Sequence, residues 1–157
     1  MIHCRAALIG VIVAFLAFPA TADNPRPYPG TQVIRTAHSY QVLVGRLDAA
    51  VKANKMGVVT RASATEGAKK VLKMDIPGNM VVGVFHPRFA VRMLKASVPA
   101  GVEAPLRFYI TANADNTATL TYRKPSSVFA PYENAELDKM AEELDAIFAK
   151  IAEQTIK

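Results

Sequence analysis

The sequence predicts an α+β domain in which helices pack on an antiparallel sheet. Three observations carry that expectation. Residues Leu106 to Ala112 and Thr117 to Tyr122 read as strands separated only by Asn113-Ala114-Asp115-Asn116, a connection too short for a parallel crossover and typical of a β-hairpin. Residues 134–156 set Leu137, Met140, Ala141, Leu144, Ile147, Phe148 and Ile151 on one stripe at helical spacing, the pattern of a long helix with one apolar face. The signals follow in the order strand, helix, two or more strands, helix, hairpin, long helix, which suits a layered α+β fold.

At 157 residues the chain has room for one domain. Hydrophobic residues make up 51% of it, which excludes a disordered chain, since such chains have too little apolar surface to bury. The mean hydropathy of +0.15 owes much to the front, where residues 1–22 hold seventeen hydrophobic side chains. Arg5 precedes an apolar run from Ala6 to Phe18, and Pro19-Ala20-Thr21-Ala22 ends in small residues. The run falls short of the ~20 residues that span a bilayer as a helix, and Ala20-x-Ala22 suits signal peptidase. The expectation is a secretory signal over 1–22, cleaved after Ala22, a periplasmic or secreted product and no stable membrane span; the alternative is an uncleaved anchor. Cys4, the sole cysteine, leaves with the signal, so the remaining chain must be held together by its core. Residues 23–30, with Pro25, Pro27 and Pro29, read as an extended tether. Residues 31–157 are the single domain.

Within that domain Gln32 to Thr36 reads as a strand. Ser39 is placed to cap a helix carrying Leu43, Leu47, Ala50 and Val51 on one face and ending at Gly57. Val58 to Ser63 is a second strand, Thr65 to Lys73 a short basic connection with helical character, and Ile76-Pro77-Gly78-Asn79 a turn. Met80 to Phe85, the most apolar run after the signal, is expected to be a central strand. His86-Pro87 then opens a helix, because a proline in the first turn gives up an N–H that has no partner there. Its apolar face is Phe89, Ala90, Met93 and Leu94. Ala100 to Pro105 reads as a loop. Pro125 to Pro131 is a connection, and the apolar Val128-Phe129-Ala130-Pro131-Tyr132 calls for cover from a second copy, as a homodimer, or from the end of the chain's own sheet.

Charge is uneven. Residues 23–132 hold fifteen basic and six acidic side chains, residues 133–157 three basic and seven acidic. An acidic last helix could dock on the basic body, meet a second copy or face water. Nucleic acid is not an expected partner, because no Lys/Arg cluster is interleaved with aromatics.

The segments Gly83-Val84-Phe85-His86-Pro87, Glu103-Ala104-Pro105-Leu106-Arg107-Phe108-Tyr109 and Thr121-Tyr122-Arg123-Lys124-Pro125-Ser126 resemble those of the domain-of-unknown-function family 302, closest to its exported bacterial branch, over roughly residues 31–155. The resemblance implies a TATA-binding-protein-like α+β layer and no established activity. Many members carry Asn where this chain has His86, which puts any role of that amide in question here.

Chemistry-bearing residues are sparse. Structural zinc wants four Cys or His ligands, whereas His38 and His86 stand far apart without ligand spacing. A copper site from methionine and histidine is one alternative, against which methionines at these positions are more often core filler; haem held non-covalently by His86 is another, there being no Cys-x-x-Cys-His for covalent attachment. No Gly-x-Ser-x-Gly, Ser-x-x-Lys or glycine-rich phosphate loop is present, so Ser39, Ser126 and Ser127 read as caps and turn residues. The sequence expectation that remains is a small anionic ligand. His86 and Arg88 stand at a helix N-terminus, where free N–H groups favour an anion. Arg92 follows one turn later, and Tyr122, Arg123 and Ser126 leave a strand that could be a sheet neighbour. The bland alternative is that the arginines are solvated and His86 is a local cap. The sequence therefore reads as an exported, non-catalytic binding or assembly module with no cofactor specified; a periplasmic haem- or metal-binding protein and an enzyme of unknown reaction are the alternatives.

Overall fold

The computed structural model describes residues 28–157. The expected signal and most of the expected tether lie outside them. Five strands form one antiparallel sheet in the order β1-β5-β4-β3-β2: β1 is Thr31–Arg35, β2 Gly57–Ala62, β3 Asn79–Phe85, β4 Leu106–Ala112 and β5 Ala118–Arg123. The β4–β5 hairpin pairs Phe108 with Tyr122 and Ile110 with Leu120. The apolar run of β3 has neighbours on both sides, as its hydrophobicity requires, but β4 is the middle strand.

Alternation along the strands sorts side chains to two faces. Met80, Val82, Val84, Phe108, Ile110, Leu120 and Tyr122 are buried on one of them, against helices α1 (Tyr40–Ala53) and α5 (Ala135–Ile156). Phe108 stacks on Phe148 of α5 with ring centroids 4.7 Å apart, and Tyr122 leans on Phe108 at 5.1 Å. The stripe on α5 is the expected one, fully buried except Ile147, which packs at the margin. Asn134 caps this helix by accepting from the Glu136 and Leu137 N–H groups. At the other end Arg46 of α1 donates to the Thr155 and Gln154 carbonyls at 2.8 and 3.2 Å, supplying a cation and donors where a helix has orphan carbonyls.

Three shorter elements depart from the sequence reading. Ser39 holds the N-cap position of α1, but its hydroxyl makes no cap bond. The loop expected at Ala100 to Pro105 is mostly a 3₁₀ turn, Pro99–Glu103. The connection after β5 is a helix, α4 (Pro125–Phe129), followed by a 3₁₀ turn, Ala130–Tyr132. Val128 and Phe129 are buried within the chain, α4 lying on α5, so their cover is intramolecular. The basic connection is helix α2 (Ala64–Gly67) running into a π-turn, Ala68–Leu72. No helix among the described residues is long and apolar enough to cross a membrane.

Candidate functional site

The six residues expected to share one anion site face different surroundings, because β4 lies between β3 and β5. His86 is the N-cap of α3 (Pro87–Ala96), and its Nδ1 accepts the Arg88 N–H at 3.1 Å. That bond leaves the proton of a neutral imidazole on Nε2, the reverse of the tautomer in which Nε2 ligates a haem or metal. The Arg88 guanidinium sits over the Phe89 ring at 4.8 Å. Arg92 forks onto both carboxylate oxygens of Glu143 at 2.7 Å, and this bond raises the arginine pKa and lowers that of Glu143. The acidic last helix thus docks on the basic body through at least this pair. Ser126 is committed as well: its hydroxyl donates to Asp145 Oδ2 at 2.6 Å and its N–H to Oδ1 at 2.9 Å. Asp145 therefore caps α4 from a distant part of the chain. The Tyr122 ring belongs to the core, and burial pushes its hydroxyl pKa up.

Arg123 points to the opposite face of the sheet, with Thr121 beside it on β5, Arg107 and Tyr109 on β4 and Thr31 on β1. The register explains the grouping. Thr31 pairs with Arg123, Tyr109 pairs with Thr121, and Arg107 and Arg123 are the next residues beyond the Phe108–Tyr122 pair. Together with Tyr28 these residues line a cleft of about 270 Å³. Arg123 stacks over the Tyr28 ring at 5.5 Å and donates from one terminal nitrogen to the Ser127 carbonyl at 3.2 Å.

Two features mark the cleft electrostatically. None of its lining residues is acidic, and neither Arg107 nor Arg123 forms an ion pair among the described residues, whereas Arg35, Arg61 and Arg92 do. Secondly, the buried side-chain polar atoms without a partner among the described residues are Thr31 Oγ1, Thr121 Oγ1 and Arg123 Nε. All three belong to residues lining this cleft. A buried polar group left unpaired costs about 1–3 kcal/mol, so three on adjacent strands form a costly cluster unless ordered water or a ligand completes them. Of the residues lining this cleft, sequence reasoning singles out Tyr122 and Arg123 and not Thr31, Thr121, Arg107 or Tyr109. The available signal was parity: Arg107 and Tyr109 are out of phase with buried Phe108 and Ile110, as Thr121 and Arg123 are with Leu120 and Tyr122.

A second, apolar cavity of about 30 Å³ lies beside His86, among Phe89, Met56, Met93 and Met140; that is about the volume of one water molecule in the liquid. Among the described residues no group of three or more His, Cys, Asp or Glu could hold a metal ion.

The family model described as "Domain of unknown function DUF302" matches residues 32–155. The chain belongs to the DUF302 family. This DUF302 domain is similar to a solved structure, the "uncharacterized conserved protein DUF302 from Bacillus stearothermophilus", with a TM-score of 0.72, 17% sequence identity, and coverage of 81% of this chain and 98% of that one. At that identity the likeness shows the fold of the DUF302 domain and nothing of its ligand. No curated protein matches the chain.

Proposed function

We propose that this DUF302 domain is a non-catalytic module that binds a small anion in the cleft on the sheet face opposite α1 and α5. One observation carries the reading: two guanidinium groups without counter-ions share a cleft with three unpaired buried polar atoms and no carboxylate. An oxyanion supplies what the cleft lacks, since arginine N–H groups and threonine hydroxyls all donate to it. Of the residues singled out in the sequence, Arg123 is then central, Tyr122 borders the cleft, and His86, Arg88, Arg92 and Ser126 support the fold around it. The leader supports export to the periplasm or beyond, with cleavage after Ala22.

The test is thermal unfolding in a panel of phosphate, sulfate and carboxylates at constant ionic strength. A ligand that binds only the folded state raises the melting temperature. The rise is expected for at least one anion and is expected to vanish in Arg123→Gln; no shift with any anion overturns the proposal. Mass spectrometry of the exported protein reads the cleavage site, and a mature chain retaining residues 1–22 overturns the leader assignment.

A further inference from the structure

We infer that the ligand is an organic monocarboxylate whose carboxylate sits at Thr31, Thr121 and Arg123 and whose apolar, ring-bearing body lies along Tyr109 and Val81; this rests on the anion reading above. The cleft has two ends of different chemistry. At the β1–β5 end, the unpaired groups are one guanidinium N–H and two hydroxyls. Thr31 is 5% exposed and belongs to the β-strand next to Arg123, so the polar end is enclosed, and a threonine hydroxyl can turn about χ1 toward an arriving oxygen.

The number and charge of these donors favour a carboxylate. Its two oxygens offer about four acceptor sites, enough for the three unpaired donors. Arg123, half-buried, balances one negative charge, whereas Arg107 is exposed at the rim. A dianion such as phosphate would bring a second charge into the enclosed end with no second buried cation, and an unpaired buried charge is costly.

Size and wall chemistry require more than a small inorganic ion. At about 270 Å³ the cleft has the volume of about nine liquid waters, close to the lower limit of about 300 Å³ for organic-ligand pockets. A carboxylate fills only a part of it. The remaining wall is Val81, Tyr109, Leu106, Val128 and Tyr28, and an apolar body is the occupant that such a wall favours over water. The Tyr109 ring suits a planar group, which stacks on it or meets it edge-on.

Isothermal titration of the purified protein with benzoate, phenylacetate, acetate, phosphate and benzyl alcohol tests this. Benzoate or phenylacetate is expected to bind at least about tenfold more tightly than acetate or phosphate, with no measurable binding of benzyl alcohol. Tyr109→Ala is expected to reduce that preference. Arg123→Gln is expected to lose binding of every carboxylate while its circular dichroism and melting temperature show it folded. Acetate or phosphate binding as tightly as both aryl acids overturns the inference and leaves the anion reading standing. Benzyl alcohol binding as tightly as benzoate, or no binding of any of the five, overturns both.

Discussion

Arg107 and Arg123 stand on the same face of adjacent strands, immediately beyond the Phe108–Tyr122 pair, with no carboxylate in the cleft they share. Like charges opposed across a strand pair destabilise it, by roughly 0.2–1 kcal/mol. The ligand-free protein therefore retains a repulsion that an anion relieves. Arg107→Gln is expected to raise the stability of the free protein by about 0.5 kcal/mol and to diminish the anion-induced rise in melting temperature. Urea unfolding with and without anion measures both. A free protein made less stable by the substitution would remove the argument from repulsion.

Asp115, in the β4–β5 turn, is held down to a pKa of about 2, first by the Thr117 hydroxyl, then by Arg35 and the Thr117 N–H. Because the folded-state pKa lies below the unfolded one, the associated stability is complete above the unfolded value and disappears as pH falls through about 2. NMR titration of the Asp115 carboxyl carbon is expected to give a midpoint near that value. In Arg35→Ala the midpoint should rise only part of the way to the ordinary aspartate value, since the Thr117 bonds remain; full recovery would show that Arg35 alone sets it.

Asp145→Ala removes the carboxylate that accepts both the N–H and the hydroxyl of Ser126. Loss of an N-terminal cap costs about 0.5–2 kcal/mol, and the effect should be felt beyond α4, because Val128 of that helix lines the cleft. Hydrogen exchange is expected to accelerate at residues 126–130 before the β4–β5 hairpin; uniform acceleration across the domain would contradict a local capping role.

Gly30 is poised against α4. Its φ is +76°, and a Cβ there would lie 1.9 Å from Ser127 Oγ. Gly30→Ala combines the roughly 1–2 kcal/mol cost of a left-handed non-glycine residue with a clash that must part the start of β1 from α4. It is expected to lower the melting temperature and weaken ligand binding together, by displacing Tyr28 and Thr31. Unchanged ligand affinity in the folded variant would detach the cleft from this crossing.

The α5 stripe, the hairpin and the proline-started α3 were legible because each rests on local periodicity or turn chemistry. Helix α4 was not. Its five residues span barely more than one turn, too short for an apolar period, and its cap comes from Asp145, 19 residues from Ser126 in the chain. The cationic and hydroxyl residues were legible as residue types, but their grouping in space was not. His86, Arg88 and Arg92 form a sequence-local group, which draws attention, but Phe89 and Glu143 occupy its cations. Thr31 carries no mark in the sequence, and parity sets Arg107 on the far face without telling whether water or a ligand meets it; only the register shows that they share a cleft.

The apolar face of the sheet is closed by α5, the last 22-residue element of the chain, and Arg46 near the front reaches the Thr155 carbonyl at its far end. The hairpin rests on local contacts, but Phe108 gains its stacking partner Phe148 only when α5 docks. Closure of this core is consequently a long-range event, joining segments 109 residues apart in the chain, of the kind that slows folding.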